Sequence, residues 1–208
     1  MRILLVDDHA ILRAGLCRIL KEDLHAQVGE AANAQEAMQQ LENAPWDIIL
    51  LDISLPGRSG LDLLPDVRAL FPATRVIILS SFDDQQFVVR SFRDGASAFL
   101  TKERAAFELI KAIQVVMAGR RYITEYLAEL LVSLLTPDSP KSPHEALSSR
   151  EFEVFRMIAA AQNPKEIAHQ LNISTKTVST YRTRILEKMG MTTNAELMQY
   201  AIRHTLIT

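Results

Sequence analysis

The sequence is almost without cysteine. Cys17 stands alone among 208 residues, which excludes an intramolecular disulfide framework. It lies beside the apolar register Leu12, Leu16, Ile19 and Leu20, where a thiol is expected to be a buried structural group. Long hydrophobic runs are missing too: none approaches the roughly 20 residues that cross a bilayer. The apolar start Ile3 to Val6 meets Asp7-Asp8 too early to act as a signal peptide, so the expected location is cytoplasmic, with no membrane partner. The five histidines, His9, His25, His144, His169 and His204, are scattered without metal-ligand spacing, which leaves a zinc site without support.

What is present is a globular composition, 48% hydrophobic and 23% charged, in a chain long enough for one large domain or two of ordinary size. The formal charge of -2 hides an asymmetry. Residues 1–147 carry 15 Lys and Arg against 20 Asp and Glu, net -5, while residues 148–208 carry 8 against 5, net +3. A basic tail behind an acidic front points to a polyanionic partner for the tail.

Over the first 120 residues, short β-rich runs alternate with helical patterns. Ile3 to Val6, Ile48 to Leu51, Val76 to Leu79 and Ala98 to Leu100 read as buried strands, with a weaker one at Gln27 to Ala31. Helices are expected at about 10–22, 34–43, 60–70, 84–93 and 105–117, punctuated by Asn33, Pro45, Pro56-Gly57, Pro72 and Gly95. Five such units predict an α/β fold, a doubly wound five-stranded parallel sheet with helices on both faces. Ligands of these sheets sit at the carboxyl ends of the strands. Asp7-Asp8 closes the first strand and Asp52 the third. A helix is expected near 124–135, followed by an extended linker with three prolines between Pro137 and Pro143. From Leu147 the pattern is all helical, at 148–161, 164–171, 175–189 and 194–204. The organisation is therefore 1–120, a connecting helix and linker over 121–146, and a small all-α domain over 147–208.

Carboxylates gathered at one edge of a sheet repel one another unless a cation is present, and hard oxygen donors favour Mg²⁺. The same edge is supplied with a hydroxyl, Ser80, and an ammonium, Lys102. A carboxylate nucleophile with metal, hydroxyl and lysine makes a phosphoryl-transfer site. Any one of these residues is an ordinary turn or surface group; their placement at the same ends of successive strands favours the functional reading.

These residues, together with Leu51-Asp52-Ile53-Ser54-Leu55-Pro56-Gly57 and Gly60, resemble the receiver domain of response regulators, a flavodoxin-like fold. The resemblance implies that Asp52 is the phosphoacceptor, served by a cognate sensor histidine kinase in a phosphorelay. It implies Mg²⁺ held by Asp7, Asp8, Asp52 and the Ser54 backbone carbonyl, with Lys102 on the phosphoryl oxygens and Ser80 and Phe99 as switch residues. Leu55 stands where methionine is commoner, and Glu103 where many receivers have proline. A rival class, the haloacid-dehalogenase-like phosphatases, needs an Asp-x-Asp pattern. Position 54 is Ser, so the second acid is missing and the chain is not expected to be an enzyme.

In the last third, Ser148, Asn163 and Ser174 stand as N-caps, with Pro164 at a first helical position and Glu166 able to close a capping box. Thr193-Asn-Ala-Glu196 is another box. A short helix with an inner face of Ile167, Ala168 and Leu171, a turn at Asn172-Ile173, and a longer helix striped by Val178, Tyr181, Ile185, Leu186 and Met189 make a helix-turn-helix signature. The outward face offers Lys176, Ser179, Thr180 and Thr183, flanked by Arg182 and Arg184, for DNA, small polar groups for base edges and cations for phosphates, with Thr177 and Tyr181 counted among the DNA-binding candidates as well. Leu197, Ala201 and Ile202 on the last helix fit either internal packing or a dimer seam.

Lys165-Glu-Ile-Ala168, Thr177-Val178, Tyr181-Arg182 and Ile185-Leu186 resemble the LuxR-type output domain, and the domain order resembles NarL/FixJ transcription regulators. Ala161 stands where glycine is usual and Ser179 where lysine is common. The resemblance implies a homodimer on double-stranded promoter DNA, with RNA polymerase as a further partner. The alternative within the family is DNA binding that does not depend on phosphorylation.

Overall fold

A computed structural model of the chain describes residues 1–81, 85–124, 127–128, 142–204 and 206–207. Most of the helix expected near 124–135 and the Pro-rich segment after it lie outside the described residues. The chain forms two compact units, Met1–Pro137 and Asp138–Thr208.

The first unit is a five-stranded parallel sheet in the order 2-1-3-4-5. Its strands are β1 (Arg2–Val6), β2 (Gln27–Ala31), β3 (Ile48–Asp52), β4 (Arg75–Ser80) and β5 (Ala98–Thr101). Its helices are α1 (Ala10–Leu24), α2 (Ala34–Asn43), α3 (Gly60–Leu70), α4 (Gln85–Arg93) and α5 (Lys102–Met117). The expected parallel α/β sheet is therefore present. The central strands are apolar at nearly every position because both faces are covered. Ile3, Leu5, Ile48, Leu50, Ile77, Leu79, Ala98 and Leu100 pack in one cluster with Leu16, Cys17 and Leu20 of α1 and Leu109, Ile113 and Val116 of α5. The alternate residues Leu4, Val6, Ile49, Leu51, Val76, Ile78 and Phe99 are equally buried, and strand alternation puts them on the other face. Cys17 is a buried free thiol.

Helix α5 begins at Lys102, three residues before the apolar pattern suggests. Thr101 stands at its N-cap with extended backbone, and Lys102, Glu103 and Arg104 form a polar first turn in which hydrophobic periodicity gives no signal.

The second unit opens with a single 3₁₀ turn, Pro143–Ala146, followed by α6 (Ser149–Ala159), α7 (Pro164–Gln170), α8 (Thr175–Met189) and α9 (Asn194–Arg203). Phe152, Phe155, Ile167, Ile185, Leu197 and Ala201 form its buried interior. Capping boxes start α6 at Ser148 and Glu151, α7 at Asn163 and Glu166, and α9 at Thr193 and Glu196, while Ser174 caps α8 by accepting Thr177 N–H. The turn between α7 and α8 is made by Asn172 at φ 50°, with Ile173 N–H returning to Ala168 O at 2.9 Å. Asparagine tolerates this left-handed conformation better than most residues. No helix among the described residues is long and apolar enough to cross a membrane.

Candidate phosphoryl and metal pocket, and candidate nucleic-acid interface

Sheet register assembles the pocket. Val6 pairs with Leu51, Leu51 with Ile78, Asp52 with Leu79, and Ser80 with Thr101. The carboxyl ends of the strands therefore fall on one line, which places Asp52 and Ser80, the last residues of β3 and β4, and Asp7 and Lys102, the residues after β1 and β5, along the same edge. Asp7 and Asp52 share strand parity with Leu5 and Leu50, so both follow the α1 and α5 side of the sheet. Ser80 and Phe99, each about 1% exposed, have the opposite parity.

Asp7 and Asp52 are fully buried. Lys102 Nζ stands between them, 2.8 Å from Asp52 Oδ2 and 2.9 Å from Asp7 Oδ2, with its side chain only 11% exposed. The contact to Asp52 is a hydrogen bond, whereas Asp7 Oδ2 accepts none. Its approach to Lys102 is thus an ion pair without hydrogen-bond alignment. Ser54 N–H donates to Asp52 Oδ1 at 3.1 Å, and His9 N–H to Asp7 Oδ1 at 2.8 Å. Burial pushes the Asp52 carboxyl up from 3.8 to about 6, with Asp7 adding to the rise and Lys102 opposing it. For Lys102, burial alone would lower the pKa, but Asp52 and Asp7 outweigh it and hold the ammonium above its usual range.

The loop after β3 explains the Pro-Gly-x-x-Gly spacing. Gly57 has φ 78°, a left-handed turn position. At Gly60 a Cβ would lie 2.0 Å from the Asp52 carbonyl oxygen, so only glycine lets α3 start directly under Asp52. Gly60 N–H and Ser59 Oγ both donate to Ile53 O, at 2.9 and 3.0 Å, which pins the backbone beside Asp52.

Three supporting groups stand beside these that the sequence reading did not assign to the pocket. Ser59 is one. Arg13 donates to the Asp7 carbonyl oxygen and pairs with Glu30 at 3.0 Å. His9 was set aside with the other scattered histidines, yet the fold turns it into the pocket. Its Nδ1 is 2.9 Å from Asp8 Oδ1, and one donor atom from each of Asp7, Asp8, His9 and Asp52 lies within 4.8 Å of the others.

The outward face of α8 holds Lys176, Ser179, Thr180, Thr183 and Arg184, all exposed, with Thr177, Tyr181 and Arg182 half-buried. Tyr181 is thus less enclosed than the rest of its stripe, since Val178, Ile185, Leu186 and Met189 are buried. Three hydroxyls donate back along the helix: Ser179 to Thr175 O, Thr180 to Lys176 O and Thr183 to Ser179 O, at 3.1, 3.1 and 3.2 Å. Arg182, expected to meet phosphate, donates through Nε to Asn194 Oδ1 at 2.6 Å, which ties α8 to the start of α9. Lys176 and Arg184 have no ion-pair partner among the described residues. Behind this face, the Glu151 carboxylate that caps α6 also pairs with Lys188 at 2.6 Å. Arg150 joins Glu153 to the Leu171 carbonyl oxygen at the end of α7. On α9, Leu197 and Ala201 pack inside while Ile202 is 62% exposed.

Comparison with known proteins assigns both units to known families. Residues 3–114 match the model of the response regulator receiver domain, and residues 145–201 that of bacterial regulatory proteins of the luxR family. The chain is 33% identical over 209 residues to the response regulator GacA of Pseudomonas viridiflava, covering 100% of this chain and 98% of that protein. It is 35% identical over 209 residues to the response regulator UvrY of Escherichia coli K12, covering 99% and 95%. The structure of RcsB from Salmonella enterica serovar Typhimurium, bound to promoter P1flhDC in the presence of the phosphomimetic BeF3-, aligns at 25% identity with a TM-score of 0.61, covering 96% of this chain and 97% of that one.

Proposed function

The chain belongs to the two-component response regulators that join a receiver to a LuxR-type helix-turn-helix domain, and from that premise we propose that phosphorylation of Asp52 governs promoter binding by α8. It is a transcription regulator rather than a metabolic enzyme. The carrying observation is Lys102 Nζ bridging the buried carboxylates of Asp7 and Asp52.

A receiver takes its phosphoryl group from a sensor kinase. Here an Asp52 carboxylate oxygen attacks the phosphorus of the kinase phosphohistidine, the P–N bond breaks, and the imidazole leaves as an acyl phosphate forms. Lys102 is placed to shift from the carboxylates to the new phosphoryl oxygens, and Ser80 with Phe99 to follow the change. The pocket fits Mg²⁺: its donors are hard oxygens, and the buried Asp7 Oδ2 accepts no hydrogen bond. Asp7, Asp8, Asp52 and the Ser54 carbonyl would hold the ion, which when bound offsets charge developing on the transferring group.

On the output side, Lys176 and Arg184 are the free cations for phosphates. The hydroxyls of Ser179, Thr180 and Thr183 already donate to the helix, so they meet base edges as acceptors, suited to adenine N6 and cytosine N4. The acting form is a homodimer in the cytoplasm, with exposed Ile202 at the seam, and RNA polymerase is the downstream partner.

Incubation with a small phosphodonor and Mg²⁺ is expected to give a base-labile acyl phosphate that is lost in Asp52→Asn and with chelator. Full labelling of Asp52→Asn would overturn the assignment. For DNA, Arg184→Ala is expected to lower the salt slope of binding by roughly 0.9 without changing the ranking of sequences. Thr180→Val is expected to change the ranking. The converse pattern in a salt series on specific and scrambled duplexes would reverse these roles.

A further inference from the structure

Phosphoryl transfer gives no role to His9, which stands among the pocket's carboxylates. Its Nδ1 lies 2.9 Å from Asp8 Oδ1, 3.3 Å from Asp7 Oδ1 and 3.5 Å from Lys102 Nζ, so the ring faces the carboxylates although the side chain is 63% exposed. His9 is the N-cap residue of α1, its N–H is bound by Asp7 Oδ1, and its side chain makes no capping hydrogen bond that would turn the ring away.

We propose that the pocket is also a site for a borderline divalent transition metal of the Zn²⁺ and Co²⁺ class, held by His9 Nδ1 with Asp7, Asp8 and Asp52, and that such an ion blocks phosphoryl acceptance. The second half of this statement rests on the reading of Asp52 as phosphoacceptor. Donors about 2.0 to 2.2 Å from a common ion in a tetrahedral shell stand roughly 3.3 to 3.6 Å apart. The four donors here already fall within 4.8 Å of one another, so closing the widest separation by no more than about 1.5 Å brings them onto an ion. Imidazole nitrogen suits Zn²⁺ and Co²⁺, whereas Mg²⁺ takes oxygen and keeps its waters, so His9 discriminates between the two classes. Three carboxylates and one imidazole complete a tetrahedral shell. A closed shell has no open position for a phosphoryl oxygen, and it occupies the Asp52 oxygen that would attack. The Lys102 ammonium, which now bridges Asp7 and Asp52, competes with the ion for the same oxygens.

The test titrates the full chain with Co²⁺ and with Mg²⁺ by calorimetry, with Co²⁺ visible absorption recorded in parallel, for wild type, His9→Ala and Asp52→Asn. In His9→Ala the ratio of Co²⁺ to Mg²⁺ affinity is expected to fall at least tenfold, and the Co²⁺ absorption is expected to weaken in both variants. Zn²⁺ added to wild type is expected to suppress labelling of Asp52 at least tenfold, with full recovery after chelation and return of Mg²⁺. An unchanged affinity ratio in His9→Ala would make His9 a plain counter-ion of Asp8 and overturn the site, as would Co²⁺ absorption that persists unaltered in Asp52→Asn. If Zn²⁺ binds through His9 yet labelling continues, the blocking claim falls. If wild type is never labelled under Mg²⁺ while Co²⁺ binding through His9 stands, the phosphoacceptor reading falls and the metal site remains.

Discussion

The receiver pocket joins Lys102 to Asp52 across 50 positions and to His9 across 93, whereas the helix-turn-helix unit is set largely by partners three residues apart, such as Ser148 with Glu151 and Asn163 with Glu166. The pocket exists only once the sheet is in register. The output unit's helix starts are written into the chain before any tertiary contact forms. The energetic treatment of charge differs as well. In the pocket, two carboxylates are buried at the expense of stability and share one ammonium. In the output unit, the buried carboxylates of Glu151 and Glu153 each have a cation and the caps are closed. Departures from local satisfaction of this kind are where function is usually kept.

The hardest blow to the comparison is removal of the shared ammonium. Lys102→Ala leaves Asp7 and Asp52 buried without a counter-charge, and the receiver transition in urea at pH 8 is expected to lose about 3 to 5 kcal/mol. Adding Asp52→Asn to that variant is expected to restore much of it. A loss below about 1 kcal/mol would mean that the pocket's charge is compensated elsewhere, and the contrast between the halves would weaken.

Acid separates the two halves by sign. Burial holds the Asp52 pKa at about 6 in the folded chain against 3.8 unfolded, so the folded receiver binds this proton more tightly. Its contribution is therefore most favourable below pH 3.8 and declines as pH rises to about 6, by roughly 3 kcal/mol over that window. The raised pKa of Lys102 acts only in the alkaline range, where its contribution is lost as pH climbs past its folded value. In the output unit the signs reverse. For Glu151, burial raises the pKa, but Lys188 and the Ser148 N–H outweigh it and hold the carboxyl low, so its contribution is present above 4.5 and lost on acidification. His144 is held low by burial and by His204, against Glu145, so it too loses stability as pH falls below 6.5. Subtracting the pH profile of Asp52→Asn from that of wild type, and Glu151→Gln likewise, is expected to give slopes of opposite sign. Equal signs would break the distinction.

The same division explains what was legible in the sequence. All five strands and the helices of both units followed from apolar periodicity and caps, because each signal lies within a few residues. Asp7, Asp8, Asp52 and Lys102 could be placed at one edge since each follows a strand, and parallel strands share that edge. The roles of His9, Arg13 and Ser59 do not follow in the same way: His9 sits beside Asp7 and Asp8 locally but meets Lys102 only across the sheet, Arg13 meets Glu30 17 positions on, and Ser59 Oγ reaches Ile53 O through the loop after β3. Arg182 read as a phosphate contact on helical spacing alone. Its Nε also bonds Asn194, a partner 12 residues on that helical spacing does not reveal. Tyr181 belongs to the inner stripe by spacing but sits at its margin, where packing leaves it half exposed.

Even the locally specified half has one place where residue and conformation disagree. Helix α6 ends in a Schellman arrangement, with Gln162 N–H on Met157 O at 3.1 Å and Ala161 N–H on Ile158 O at 3.0 Å. That geometry puts Ala161 at φ 60°, where its Cβ crowds the following carbonyl and glycine is the ordinary occupant. The conformation is imposed by the chain having to turn into the Asn163 cap of α7 within three residues. Ala161→Gly relieves the strain at some cost in unfolded-chain entropy, so a net gain of about 1 kcal/mol in the output unit's stability is expected, read as a higher urea midpoint with unchanged slope. No phosphorylation readout should move, because the change lies in the other unit. If the variant is neutral or destabilised, the φ of Ala161 is not strained in solution. Ala161 would then be no exception to the local rules of the output unit, and the contrast with the buried charge of the receiver pocket would sharpen.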